Sequence, residues 1–291
     1  MLLPLSFKIL LPYKKNLVLF LQQRPHFALQ SWIDYYFMMH IDHDRHAAPI
    51  LSPFPPTPLQ FIVFYLDDEA LTQKEGEAAT KKRARCIVVG PQATRMNLLI
   101  RGSHRCFVIA FRPGGLYRML HIPMKELYDD GFEGRDVIGG AMSSLTEALQ
   151  EAGSFDQMVV TAEKFLLQKN NIIESTPFDS AMQVLLQYNG LISIDRIASL
   201  SCLSVRQFER KCIERIGLSP KFYARLARFS KAYRLRESRP GMSWTAVAHE
   251  SGYYDQMHFI RDFRQFAGLT PSVMGQFMKA NPFPMQAPLQ L

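Results

Sequence analysis

Two groups of side chains have the types and spacing to do chemistry. His40, His43 and His46 recur at every third residue, with Asp42 and Asp44 between them. Imidazoles and carboxylates are the right donors for a transition metal, provided the three rings converge. The acidic residues and the following Ala47-Ala48-Pro49 instead favour a polar, exposed segment, so no metal or other cofactor is expected there. The second group is Arg206, Glu209 and Arg210, with Gln256, Met257, Ile260 and Arg261 further along the chain. Guanidinium and amide groups offer fixed hydrogen-bonding forks to planar partners such as carboxylates, phosphates and the edges of base pairs.

The segments that must hold the second group are written clearly. Asp255 suits a helix N-cap, since its carboxylate can accept from the free N–H groups of the first turn. Phe259, Phe263 and Phe266 repeat at helical spacing and form one apolar stripe, with Gln256, Met257, Ile260, Arg261 and Arg264 turned away from it. Gly268 then provides a left-handed C-terminal cap and Pro271 a stop. The same pattern occurs earlier. A shift of 51 residues pairs Ser204 with Asp255, Phe208 with Phe259, Arg210 with Arg261, Gly217 with Gly268 and Pro220 with Pro271. Upstream the best shift is 50, matching Ile197-Ala198 to Val247-Ala248, so one extra residue lies in the second turn. Ser204-Val-Arg-Gln207 also fits a capping box. Each copy reads as a short helix, a tight turn and a capped helix: a helix-turn-helix in tandem. Two such hairpins could pack together and bind nothing, but the outward residues near each second helix's start argue for DNA. Between the copies, Pro220–Leu235 reads as one helix with Phe222, Leu226, Phe229 and Tyr233 inward and Lys221, Arg225, Arg228, Lys231 and Arg234 as a positive face.

The chain has 291 residues and a net charge of +8, enough length for two domains with separate cores. Residues 1–176 carry 19 Lys+Arg against 18 Asp+Glu, and residues 177–291 carry 15 against 8. The positive excess therefore sits with the tandem repeat, where it would displace counterions from a phosphate backbone. Cys86, Cys106, Cys202 and Cys212 show no zinc spacing and fit a reducing, cytoplasmic setting. No apolar run is long enough for a membrane span, and no secretory cleavage site follows the first residues.

The expected fold class is α+β: a small β-rich, barrel-like domain with flanking helices, then an all-α tandem helix-turn-helix domain. Residues 1–48 read as an N-terminal extension, with residues 1–37 ahead of an alternative start at Met38 or Met39. Residues 49–168 read as the β-rich domain. Its expected strands are Leu59–Leu66, Arg85–Val89, Asn97–Arg101 and Cys106–Phe111, and its closing helices are Ala141–Glu151 and Phe155–Gln168. Asp67–Arg85 reads as a charged, mobile loop. Arg95, Arg101, Arg105 and Arg112 read as surface residues of the strands rather than an anion site. Residues 169–177 are the expected linker, 178–279 the DNA-binding domain and 280–291 a flexible tail.

Residues 177–279 resemble the DNA-binding domain of the AraC/XylS family of bacterial transcription regulators. The resemblance rests on Gly252-Tyr-x-Asp-Gln-x-His-Phe-x-Arg-x-Phe-Arg, on Gly268-Leu-Thr-Pro271 and Gly217-Leu-Ser-Pro220, and on Tyr223, Arg228, Ala232 and Leu235. The middle of the chain, at Phe111-Arg-Pro-Gly-Gly-Leu-Tyr117 and Pro123-x-x-Glu-Leu127, is more loosely similar to sensor domains of that family. The resemblance implies a DNA-binding regulator, an activator, with double-stranded DNA and RNA polymerase as partners, a small-molecule effector and a homodimer. It places base contacts on Arg206, Glu209 and Arg210, and on Gln256, Met257, Ile260 and Arg261. Four positions depart from the pattern. Cys212 replaces a larger aromatic residue, Glu209 would face phosphate, and Met257 and Ile260 offer only apolar contact to a thymine methyl. An alternative reading is an enzyme: a β-barrel holding metal at His40, His43 and His46 with a basic helical appendage. No phosphate loop, dinucleotide fingerprint or nucleophile-base pair supports catalysis. A non-specific nucleic-acid binder is a third reading, separated from the first by sequence preference.

Overall fold

Strands between residues 6 and 133, rich in aromatic and β-branched side chains, build two antiparallel sheets. The computed structural model describes residues 6–13, 16–169, 172–280 and 286. In chain order the strands are β1 (Ser6–Tyr13), β2 (Asn16–Gln23), β3 (Ile33–Asp42), β4 (Ile50–Phe54), β5 (Gln60–Tyr65) and β6 (Leu71–Lys74). They continue with β7 (Lys81–Lys82), β8 (Cys86–Val89), β9 (Met96–Ile100), β10 (Ser103–Phe111) and β11 (Gly131–Glu133). The larger sheet has the order β1-β2-β3-β10-β5-β8-β11 and the smaller β4-β9-β6-β7. The two sheets face each other without closing into a barrel. Pro53 is tolerated because β4 is an edge strand.

Side chains alternate across the larger sheet as a pleated strand requires. From β10, His104, Cys106 and Val108 line a cavity of about 140 Å³ between the sheets, whereas Phe107, Ile109 and Phe111 pack on the opposite face. Helices α1 (Gly115–Leu120), α2 (Gly134–Ile138), α3 (Ala141–Glu151) and α4 (Phe155–Leu167) follow, and α1, α3 and α4 bury Leu116, Leu145, Leu149, Met158 and Val159 against that face.

Three expectations need correction. Residues 16–42 are no extension: β3 pairs with β2 on one side and along its length with β10 on the other. Met38 and Met39 lie buried in mid-strand. The segment looked anomalous in sequence because a strand covered on both faces loses the polar alternation that marks a half-exposed one. Asp67–Arg85 contains β6 and β7, and its charges are matched rather than free. Arg83 is buried and donates to Thr72 at 2.6 Å and to Asp130 at 2.7 Å. Nor are the cores of the two halves separate: one buried cluster runs from Val18 and Phe20 through Phe208 and Phe229 to Met274.

The C-terminal part is helical: α5 (Pro177–Gln187), α6 (Ile194–Leu200), α7 (Val205–Ile216), α8 (Pro220–Ser238), α9 (Trp244–Glu250), α10 (Gln256–Ala267) and α11 (Pro271–Ala280). In the connection before it, Ile173 accepts from the Arg118 guanidinium at 2.6 Å and donates its N–H to the Arg118 carbonyl at 3.1 Å. The expected flexible tail lies largely outside the described residues. Gln286, the described exception, is buried and donates to the Pro55 carbonyl at 2.9 Å. No described helix is long and apolar enough to cross a membrane.

Candidate nucleic-acid interface

The two helix-turn-helix units have matching lengths. α6 and α9 each have 7 residues, and α7 and α10 each have 12. Ser204 caps α7 by accepting from the Gln207 N–H, and the Gln207 side chain accepts the Ser204 N–H at 3.0 Å, completing the capping box. Asp255 caps α10 by accepting from the His258 N–H at 2.8 Å. That hydrogen bond is the main reason its carboxyl lies below the usual carboxylate range. Both helices end on a left-handed glycine, Gly217 at φ 80° and Gly268 at φ 68°. A side chain at Gly217 would also meet Pro91 at 2.5 Å, so space as well as backbone favours glycine.

Each unit buries its aromatic side. Phe208 packs on Phe178 with ring centroids 5.3 Å apart, and Cys212 lies fully buried below it. In the second unit Phe259, Phe263 and Phe266 are buried, with Trp244 5.1 Å from Phe263 and Phe229 5.0 Å from Phe263. Arg206, Glu209 and Arg210 are exposed on α7. On α10 Gln256, Met257 and Arg261 are exposed and Ile260 is half-buried. These side chains stand near the starts of their helices, away from the β-domain, which meets the other ends.

The linking helix is not a free cationic rod. Its 19 residues span about 28 Å. Arg225 donates to Asp262 of α10 at 2.6 Å, and Tyr253 donates to the same carboxylate at 3.1 Å. Arg228 donates to the Gly190 carbonyl at 3.1 Å and lies over the Tyr253 ring. Arg234 is half-buried, and its partial desolvation pushes its pKa below the usual arginine range. Arg236 is buried over Trp244. Arg225 and Arg228 thus tie α8 to α10 and to the turn before α6, whereas Arg234 donates to Ser230 within α8 and Arg236 to the carbonyls just after it. Arg215 at the end of α7 likewise turns inward, 3.3 Å from Asp179.

Tyr254, fully exposed beside Asp255 at the mouth of α10, was missed in sequence because aromatic residues were assigned to the core. Its position just ahead of the N-cap was the available signal. The histidine group does not gather. His40 contacts Asp42 at 3.4 Å and Asp67 at 3.9 Å, whereas the His43 ring turns to the Ala48 carbonyl at 2.9 Å. Arg95, Arg105 and Arg112 are each committed to a different acidic residue: Glu75, Asp67 and Asp34.

Residues 197–276 match the helix-turn-helix domain family, and residues 21–133 match a domain of unknown function (DUF6597). No curated protein matches the chain. Among solved structures, the chain is similar to a ligand-free, singly substituted ToxT from Vibrio cholerae, at 12% identity and a TM-score of 0.47 over 83% of this chain and 97% of that one. A ToxT from the same organism bound to an unsaturated fatty acid is similar at 14% identity and a TM-score of 0.44, over 82% and 94%. Residues 197–276 therefore form a helix-turn-helix domain of two capped units joined by one helix, in keeping with the resemblance to AraC/XylS DNA-binding domains.

Proposed function

We propose that this protein is a sequence-specific, DNA-binding transcription regulator of the AraC type and that α7 and α10 enter successive major grooves on one face of the duplex. The observation that carries the reading is the equivalence of the two helices: equal length, matched caps, and exposed hydrogen-bonding side chains at equivalent starts. Arg206, Glu209 and Arg210 read one half-site. Gln256, Met257, Ile260 and Arg261 read the other, with Met257 and Ile260 offering apolar contact only. Half-sites would be centred about 34 Å apart, one helical turn of DNA.

Residues 16–168 form the sensing domain and residues 178–279 the reading domain, with an effector held between the two sheets. RNA polymerase and a second copy of the chain are the further partners of this reading. Selection of bound sequences from random DNA, followed by footprinting, tests it. A two-part site preferred by roughly a thousandfold or more over random duplex is expected. A uniform affinity for all duplexes would replace this reading with that of a non-specific binder.

A further inference from the structure

We infer that the cavity between the two sheets takes a small, uncharged, largely apolar molecule with one hydrogen-bonding oxygen, about the size of a monosubstituted benzene ring. The inference rests on reading the β-domain as a sensor, and it names the chemistry of what is sensed.

Size comes first. The cavity holds about 140 Å³ and is walled by Phe20, Phe37, Met39, Phe61 and Val108 among others. A dry apolar cavity of roughly 150 Å³ is large enough for benzene. The polarity of the wall narrows the class further. The most deeply buried polar side chains of the lining are His104, at 3% exposure, and Tyr35, at 2%. His104 Nε2 and the Tyr35 hydroxyl have no hydrogen-bond partner among the described residues. A buried polar atom left unpaired is costly, so an occupant that pairs with one is favoured over a pure hydrocarbon.

Charge excludes the anions. Arg83 is the one permanent cation among the described lining residues, and Asp130 already meets it at 2.7 Å, with Thr72 accepting at 2.6 Å. Burial pushes His104 down to about 4 and the Cys106 thiol up to about 12, so both are neutral at pH 7. A carboxylate entering here would lose its hydration and find no free positive charge in return.

Phenol, toluene and benzoate, titrated by calorimetry into the full chain with the melting temperature followed in parallel, test this. Phenol should bind and raise the melting temperature, toluene should bind more weakly, and benzoate should do neither. His104→Leu and Tyr35→Phe are tested separately, so that a folding defect in one leaves the other readable. At least one should weaken phenol by about tenfold while leaving toluene unchanged. Benzoate binding as tightly as phenol would overturn the inference. So would failure of both phenol and toluene to bind, or unchanged phenol affinity in both variants. Phenol that binds as described without altering affinity for the selected DNA site would uphold the ligand class and refute its role as a signal.

Discussion

The backbone carbonyls of Ile216 and Ala267 lie 51 residues apart, each the last of its reading helix, and each accepts a hydrogen bond from the β-domain. Gln60 of β5 donates to Ile216 at 3.2 Å and Arg95, just before β9, donates to Ala267 at 2.7 Å. A helix leaves its last four carbonyls without partners in its own ladder. In α7 the Gly217 N–H serves Cys212 and Ile213, and in α10 the Gly268 N–H serves Arg264. The terminal carbonyl of each is met by a side chain from one of the two opposing sheets. The repeat in the helical part is thus answered by a pair of donors in the β-domain.

Removing either donor leaves a buried carbonyl unpaired. Gln60→Ala and Arg95→Ala should each cost about 1–3 kcal/mol in urea unfolding. The sites share no partner, so the double variant should lose close to the sum. A double variant no weaker than the worse single one would show that the two attachments act as one.

Arg210→Ala should cost about 1–3 kcal/mol on the selected DNA site and almost nothing on random duplex. Competition binding at fixed salt measures both. Equal losses on the two would assign Arg210 to phosphate.

Arg225→Ala leaves Asp262 buried with Tyr253 as its main remaining donor. Because the Arg225 side chain is itself 36% exposed, a loss of about 1–3 kcal/mol is expected, below the range for fully buried pairs. Asp262→Asn should cost less, since the amide oxygen can still accept from Arg225 and the amide N–H can donate to the Tyr253 hydroxyl oxygen. Thermal and urea unfolding of the two variants would reverse this order if the pair contributed through α10 alone.

Acid should weaken the fold through His104. The unfolded chain takes up a proton at His104 near 6.5 and the folded chain only near 4. Between those values the unfolded state binds more protons, so stability falls as the pH falls, by up to about 3 kcal/mol. His104→Leu should flatten that part of the stability profile. An unchanged slope would place the titrating group elsewhere.

A chain begun at Met38 lacks β2 and the first half of β3, against which Val108–Phe111 pair. It should fail to unfold cooperatively in urea. A sharp transition of normal steepness would contradict the central place of β3.

The parts of this fold legible in sequence are those whose causes are local. Ser204, Gly217, Asp255 and Gly268 mark helix ends with the residues that form them, and Phe259, Phe263 and Phe266 declare a buried stripe within three turns. What stayed hidden depends on distant partners. Arg83 looked like a solvated loop charge because Asp130 lies 47 residues away. The α8 arginines looked like a free positive face because Asp262 and the Gly190 carbonyl appear only in three dimensions. Gln60 and Ile216 are 156 residues apart, and no pattern within either segment announces their contact. The cavity was equally silent, since its wall is assembled from both sheets.

The buried cluster that runs unbroken from Val18 to Met274 has a consequence for genetics. Damage to either half is felt by one shared melting equilibrium, so loss-of-function alleles will scatter over both domains without marking either task. Only substitutions that keep the melting temperature and still alter function can separate the task of one half from that of the other.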